Sequence, residues 1–268
     1  MRRRGIHKPT IEDVIEISGI ETLHPGGMAL SMRTGEVAGF KPGMEVLDVS
    51  SGRGTQSIFY AQKFGVEVTG VDLADEMLQT AIERAKSAGM SDKVRFKKGD
   101  SQKLPFEDTA FDAVINECAV GIPDDSQAVL NEMVRVCKPG GFVVIHESTW
   151  RASLSATDKE MFSERYGTTP LEFDEWKKML ENAGVVDIQA ECDKWSKPEM
   201  FWKIRQDREV THPSKVFTTW ERLRTMLRII PKYGLRGVFK ANENARIFYR
   251  AVLKGELGYC LFWGRRGK

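Results

Sequence analysis

The chain has 268 residues, 41% hydrophobic and 29% charged, with 40 Lys or Arg against 38 Asp or Glu and a net charge of +2. That is enough apolar chain to bury a full core, but no apolar run reaches the roughly 18 residues of a membrane span. The opening MRRRGIHKPT lacks the apolar centre of a signal peptide, and the four cysteines, Cys118, Cys137, Cys192 and Cys260, show neither C-x-x-C spacing nor clustered histidines, which points to a reducing cytoplasm and to no metal site.

In chain order, residues 11–20 pattern as a short amphipathic helix, and His24-Pro25-Gly26-Gly27 is a turn before a second helix over 28–39. A strand follows at 44–49, with the apolar run Val46, Leu47 and Val49 interrupted by Asp48. Ser50, Ser51, Gly52 and Gly54 then allow a sharp turn whose N–H groups face a ligand. The alternation continues as helix 55–64, strand 66–71, helix 75–88, strand 94–98, strand 111–116, helix 125–137 and strand 141–147. Strands alternating with helices predict a parallel sheet covered on both faces. Another helix over 171–183, closed by Gly184, leads to a strand over 185–192, and 258–264 reads as a last, antiparallel strand.

Charge decides what the glycine loop holds. A dinucleotide site wants a third glycine, yet Gly52-Arg53-Gly54-Thr55-Gln56-Ser57 lacks it, and Asp48 at the strand end would repel a phosphate. The same acid attracts an ammonium or a sulfonium. Asp72, ending the second strand, can accept from both hydroxyls of a ribose, and Asp100, after the third, from an adenine amino group. Three acids at three strand ends suit a cationic adenosine ligand.

In these residues the chain resembles the class I S-adenosylmethionine-dependent methyltransferases, and most closely their group of small-molecule and quinone C-methyltransferases. The likeness runs over about 41–192 and includes Leu104-Pro105-Phe106, Phe111 to Ile115 and the LNEMVRVCKPGG stretch of 130–141. It departs at Ser50, where the family usually has glycine. The resemblance implies an α/β, doubly wound, mostly parallel seven-stranded Rossmann-like sheet, with an N-terminal helical cover over 1–40, a cofactor core over 41–192, a helical insertion over 193–257 and the final strand over 258–268. It implies S-adenosylmethionine as cofactor, leaving as S-adenosylhomocysteine, held by Asp48, Ser50, Gly52, Gly54, Thr55, Asp72, Leu73, Met77, Asp100, Ser101 and Asn116.

The insertion should cap the substrate pocket, since it leaves the sheet at the C-terminal end of a strand. Residues 194–257 hold 15 Lys or Arg against 6 Asp or Glu, so the rest of the chain is net acidic. That asymmetry suits an anionic partner, while a solvated helical face explains the charges equally well. Trp202 and Trp220 are candidates to lie against a planar or apolar substrate, and Cys118 to line its pocket. Residues 229–239, IIPKYGLRGVF, mix basic and apolar side chains and suit a peripheral membrane contact. His146 and Glu117, at the ends of the fifth and fourth strands, are the candidate catalytic pair, with His24 and Tyr166 approaching from the cover.

The chain lacks the N-P-P-Y-like turn of amino-directed methyltransferases, having Asn116-Glu117-Cys118-Ala119 instead, and it lacks a Pro-Cys pair for attack on a pyrimidine. Nucleic-acid base methylation is disfavoured, although RNA binding by the basic insertion stays open. The expected function is methyl transfer to a small organic acceptor, apolar or aromatic with an anionic group. The alternatives are an RNA, protein or arsenite methyltransferase, or a non-catalytic S-adenosylmethionine-binding protein.

Overall fold

The computed structural model describes residues 24–152, 154–203 and 215–268. The helix expected at 11–20 lies outside the described residues. The first described helix is α1 (Gly27–Val37), followed by β1 (Glu45–Val49), α2 (Thr55–Phe64), β2 (Glu67–Asp72), α3 (Asp75–Ser87), β3 (Val94–Lys98) and β4 (Phe111–Glu117). Then come α4 (Ser126–Val136), β5 (Cys137–Trp150), α5 (Ala156–Tyr166), the short β6 (Leu171–Glu172), α6 (Phe173–Ala183) and β7 (Val185–Glu191). The insertion carries α7 (Pro198–Trp202) and α8 (Thr219–Leu253), and β8 (Leu257–Arg266) returns to the sheet.

The sheet runs β3-β2-β1-β4-β5-β8-β7, with β6 pairing to β5 off this path. Pairs from β3 through β5 are parallel, and β8 is antiparallel to both β5 and β7, so the α/β doubly wound arrangement with a final antiparallel strand is borne out. Chain order reverses between β1 and β4. That switch point opens a crevice beyond the strand ends, where ligands bind in such sheets.

Period-two alternation sorts each strand between two cores. Val46, Ile115 and Val144 join α1, α2 and the insertion on one face, whereas Leu47, Val114 and Ile145 join α4 and α6 on the other. Continuing the count, Asp48, Glu117 and His146 all fall on the first face. Register reinforces this, because Glu117 and His146 are direct partners across β4 and β5. Glu147 turns to the opposite side, where it accepts from the backbone of Val120 at 2.6 Å and Gly121 at 3.3 Å.

The insertion is anchored at several points. Gly26 donates its N–H to Met200 O at 2.7 Å, and Trp195 packs where a Cβ on Gly26 would stand. Tyr166 donates to Asn244 O at 2.5 Å, pinning α5 to α8, so this tyrosine is structural. The long helix α8 starts at a Thr218–Glu221 capping box and breaks at Gly234, whose φ of 66° lies outside the helical region.

The cysteines correct one expectation. Cys192 and Cys260 form a disulfide between β7's end and β8, with Cα atoms 4.1 Å apart, while Cys118 and Cys137 are free. Their sequence separation of 68 hides the pairing from any local spacing rule. The bond clasps the neck of the insertion. Among the described residues no helix is long and apolar enough to cross a membrane.

Candidate active site

The loop after β1 is built to expose backbone donors. Ser50, Gly52 and Gly54 all take positive φ, at 61°, 51° and 72°, and Gly54 caps α2 without a side-chain hydrogen bond. A Cβ on Gly52 would meet open space, but one on Gly54 would lie 2.4 Å from Phe96 Cζ. Gly52 therefore faces open space and Gly54 serves close packing. Asp72 holds the loop from the neighbouring strand, accepting Gly52 N at 2.9 Å and Ala74 N at 2.9 Å on its two oxygens. Each oxygen keeps a lone pair for a ligand.

The remaining cofactor candidates gather along the same sheet edge. Asp48 is buried and accepts Ser57 Oγ at 2.5 Å, and burial pushes its carboxyl up to about 8. Asn116 is fully buried, with Oδ1 accepting Ala119 N at 2.9 Å and Nδ2 without a hydrogen-bond partner. Leu73 is 65% exposed beside Asp72. Thr55 begins α2 and takes a hydrogen bond from Arg84, Met77 lies in α3, and Asp100 accepts Gln102 N, with Ser101 next to it.

Beyond Asn116 lies a second, buried polar group. Glu117 Oε2 stands 2.9 Å from His24 Nε2 and 3.3 Å from His146 Nε2. Ser31 donates to the same oxygen at 2.9 Å, and Tyr60 donates its hydroxyl to Oε1. The two imidazole rings are 4.6 Å apart. Burial lowers the pKa of His146, a shift the Glu117 charge opposes only in part. The sequence pairs Glu117 with His146 by strand ends and offers His24 from the cover; the structure brings these three together and adds Ser31 and Tyr60 from α1 and α2. Only helix periodicity could point to the last two, since both are fully buried.

The substrate candidates separate. Cys118 follows this group with a positive φ of 66°. Trp202 is buried edge-on against Tyr249, with centroids 4.9 Å apart, so it belongs to the insertion's core. Trp220 is 69% exposed on α8.

Comparison with known proteins matches residues 46–141 to a family model described as a methyltransferase domain. An uncharacterized protein of Haemophilus influenzae is 31% identical over 176 residues, covering 64% of this chain and 70% of its own. The chain belongs to the class I S-adenosylmethionine-dependent methyltransferases. Phosphoethanolamine N-methyltransferase 1 of Arabidopsis thaliana is 30% identical over 166 residues, which is 62% of this chain and 33% of the plant enzyme. The chain likewise spans 38% of the length of the mycobacterial relatives it matches. In fold, it superposes on a Haemonchus contortus phosphoethanolamine N-methyltransferase bound to S-adenosylhomocysteine, with a TM-score of 0.72 at 20% identity, over 97% of this chain and 59% of the other.

The cofactor of this methyltransferase is S-adenosylmethionine, and the crevice suits it. Gly52 leaves room for close approach, the buried Asn116 Nδ2 lacks an acceptor, Asp72 keeps lone pairs open to a ribose, and the Asp48 carboxyl, held up to about 8 by burial, would ionise beside an ammonium. When bound, the cofactor supplies an electrophilic methyl on a sulfonium.

Proposed function

We propose that this methyltransferase methylates a small organic acceptor with an apolar or aromatic body and an anionic group, and that the acceptor's nucleophilic atom is activated at His24, Glu117 and His146. The observation that carries the reading is the position of that group: it shares a sheet face with Asp48 and adjoins Asn116, two of the residues proposed for the cofactor. Transfer needs an aligned nucleophile in a dry pocket and a destination for any proton it carries. A buried carboxylate and imidazole side by side supply that. Excess positive charge in the insertion, and the substrate in the Arabidopsis relative's name, support an anionic acceptor.

Thiol chemistry weighs against arsenite, because two of the four cysteines are paired and Cys137 is buried. A peripheral contact with membrane is the second reading. Trp220, Leu223 and Leu227 are exposed at helical spacing on α8, among basic residues.

The test is release of S-adenosylhomocysteine with a panel of small carboxylates and phosphates, with neutral analogues and RNA alongside. Turnover with anionic small molecules, lost in Glu117→Gln, is expected. Turnover with RNA alone, or none with any acceptor despite cofactor binding, would overturn the reading.

A further inference from the structure

We infer that His24, Glu117 and His146 form a binding site for a divalent transition-metal ion. The positions of the imidazole protons leave ligand lone pairs facing one another. His24 Nδ1 lies 3.0 Å from Pro25 O, and a carbonyl only accepts, so Nδ1 carries the hydrogen; in that tautomer Nε2 presents a lone pair, with Gln56 Nε2 at 3.2 Å and Ser31 Oγ at 3.4 Å beside it. In His146 the same assignment follows by one more step. The Tyr259 hydroxyl donates to His146 O at 3.1 Å, which leaves its oxygen to accept from His146 Nδ1 at 2.7 Å. His146 Nε2 is then bare, and it has no hydrogen-bond partner although the residue is fully buried.

Both nitrogens face the same anionic oxygen, at 2.9 and 3.3 Å. Lone pairs on two nitrogens and a carboxylate repel at that range unless a cation lies among them. One proton satisfies a single nitrogen-oxygen pair; a divalent ion satisfies all three. The spacing agrees, because metal–ligand bonds of about 2.0–2.2 Å set neighbouring ligand atoms about 3 to 3.5 Å apart. The three ligand atoms lie within 4.8 Å of one another.

The surroundings have the outer shell such sites need. Each ligating histidine gives its other N–H to an oxygen, Pro25 O or Tyr259 Oη, which fixes the ring and exposes the lone pair. Tyr60 and Ser31 donate to Glu117 and hold its carboxylate in place. Two imidazoles and one carboxylate, with no thiolate among them, suit zinc, iron(II) or cobalt(II) over calcium or magnesium. Metal binding stands apart from the acceptor's identity; only its use, fixing and acidifying a donor atom of the acceptor, rests on the function proposed above.

The experiment takes the full chain, stripped with chelator and dialysed, and titrates it calorimetrically with Zn2+, with a parallel Co2+ titration followed by visible absorption. One equivalent of Zn2+ is expected, with a Co2+ spectrum of nitrogen and oxygen ligation. Affinity should fall by roughly 10- to 100-fold or more in His24→Ala and in His146→Ala, and remain in Cys118→Ser. Circular dichroism and thermal melting establish that each variant is folded. If His146→Ala does not fold, His24→Ala, which lies outside the sheet, decides the matter with the wild-type Co2+ spectrum. Absence of stoichiometric uptake, thiolate charge-transfer bands, or unchanged affinity in His24→Ala would overturn the site.

Discussion

Gly52 donates its backbone N–H to Asp72 Oδ2 at 2.9 Å, so the acid ending β2 also holds the glycine loop that follows β1. The loop is thus pre-organised from the neighbouring strand, and its two glycines have different duties. Gly52→Ala places a methyl in open space at φ +51°, so it should cost about 1–2 kcal/mol in stability but weaken S-adenosylhomocysteine binding strongly. Gly54→Ala drives a methyl toward Phe96 and Ala81 as well as straining φ, and its loss of stability should be the larger. Chemical denaturation and calorimetry on both variants check this. Equal stability losses would contradict the division of roles.

Asp48 makes stability depend on pH. Its carboxyl in the folded chain is pushed up to about 8 by burial, while an unfolded aspartate ionises near about 3.9. Between those values the folded state binds the extra proton, so this group lowers stability as pH rises from about 4 to about 8. Asp48→Asn removes the titration. Its melting midpoint should exceed that of the wild type at pH 8 by at least about 2 °C and approach it near pH 4, while cofactor affinity falls. Parallel pH slopes in the two proteins would show that Asp48 does not carry this proton.

The two tryptophans of the insertion should respond oppositely. Trp202→Ala opens the core against Tyr249 and is expected to cost about 3–5 kcal/mol. Trp220 is exposed, and Trp220→Ala should leave stability within about 0.5 kcal/mol. Thermal melts separate the cases, and a destabilised Trp220→Ala would mean that its face is covered.

The disulfide at the neck of the insertion closes a long stretch of chain, and constraint of the unfolded state gives it up to about 4 kcal/mol. Thiol counting on the denatured, unreduced protein should find two thiols, and reductant or Cys192→Ser should lower the melting midpoint. Four thiols would show that Cys192 and Cys260 are unpaired.

Much of the fold was legible because the signals are local. The apolar runs ending in Asp48 and Asp72, and the glycine loop between them, sit within one short stretch, and their elements begin and end within a residue or so of expectation. Helix α5 was missed, since only Phe162 and Tyr166 of its eleven residues are buried. The break in α8 at Gly234 was equally hidden inside a helical pattern. The polar group was half legible. Glu117 and His146 end neighbouring strands, which strand alternation can bring together, but His24 joins them only because the turn before α1 is pinned by Met200 O. The cysteine pair needed the register of two antiparallel strands, which no spacing in sequence reveals.

We propose that the crevice at the β1–β4 switch point binds S-adenosylmethionine through Asp72. Calorimetric titration of the wild type and Asp72→Ala with S-adenosylhomocysteine, with NAD as control, tests this. The expected result is selective binding of S-adenosylhomocysteine that weakens by about tenfold or more in the variant, a loss of about 1.4 kcal/mol at least. Comparable binding of NAD, or an affinity untouched by Asp72→Ala in a folded variant, would contradict it.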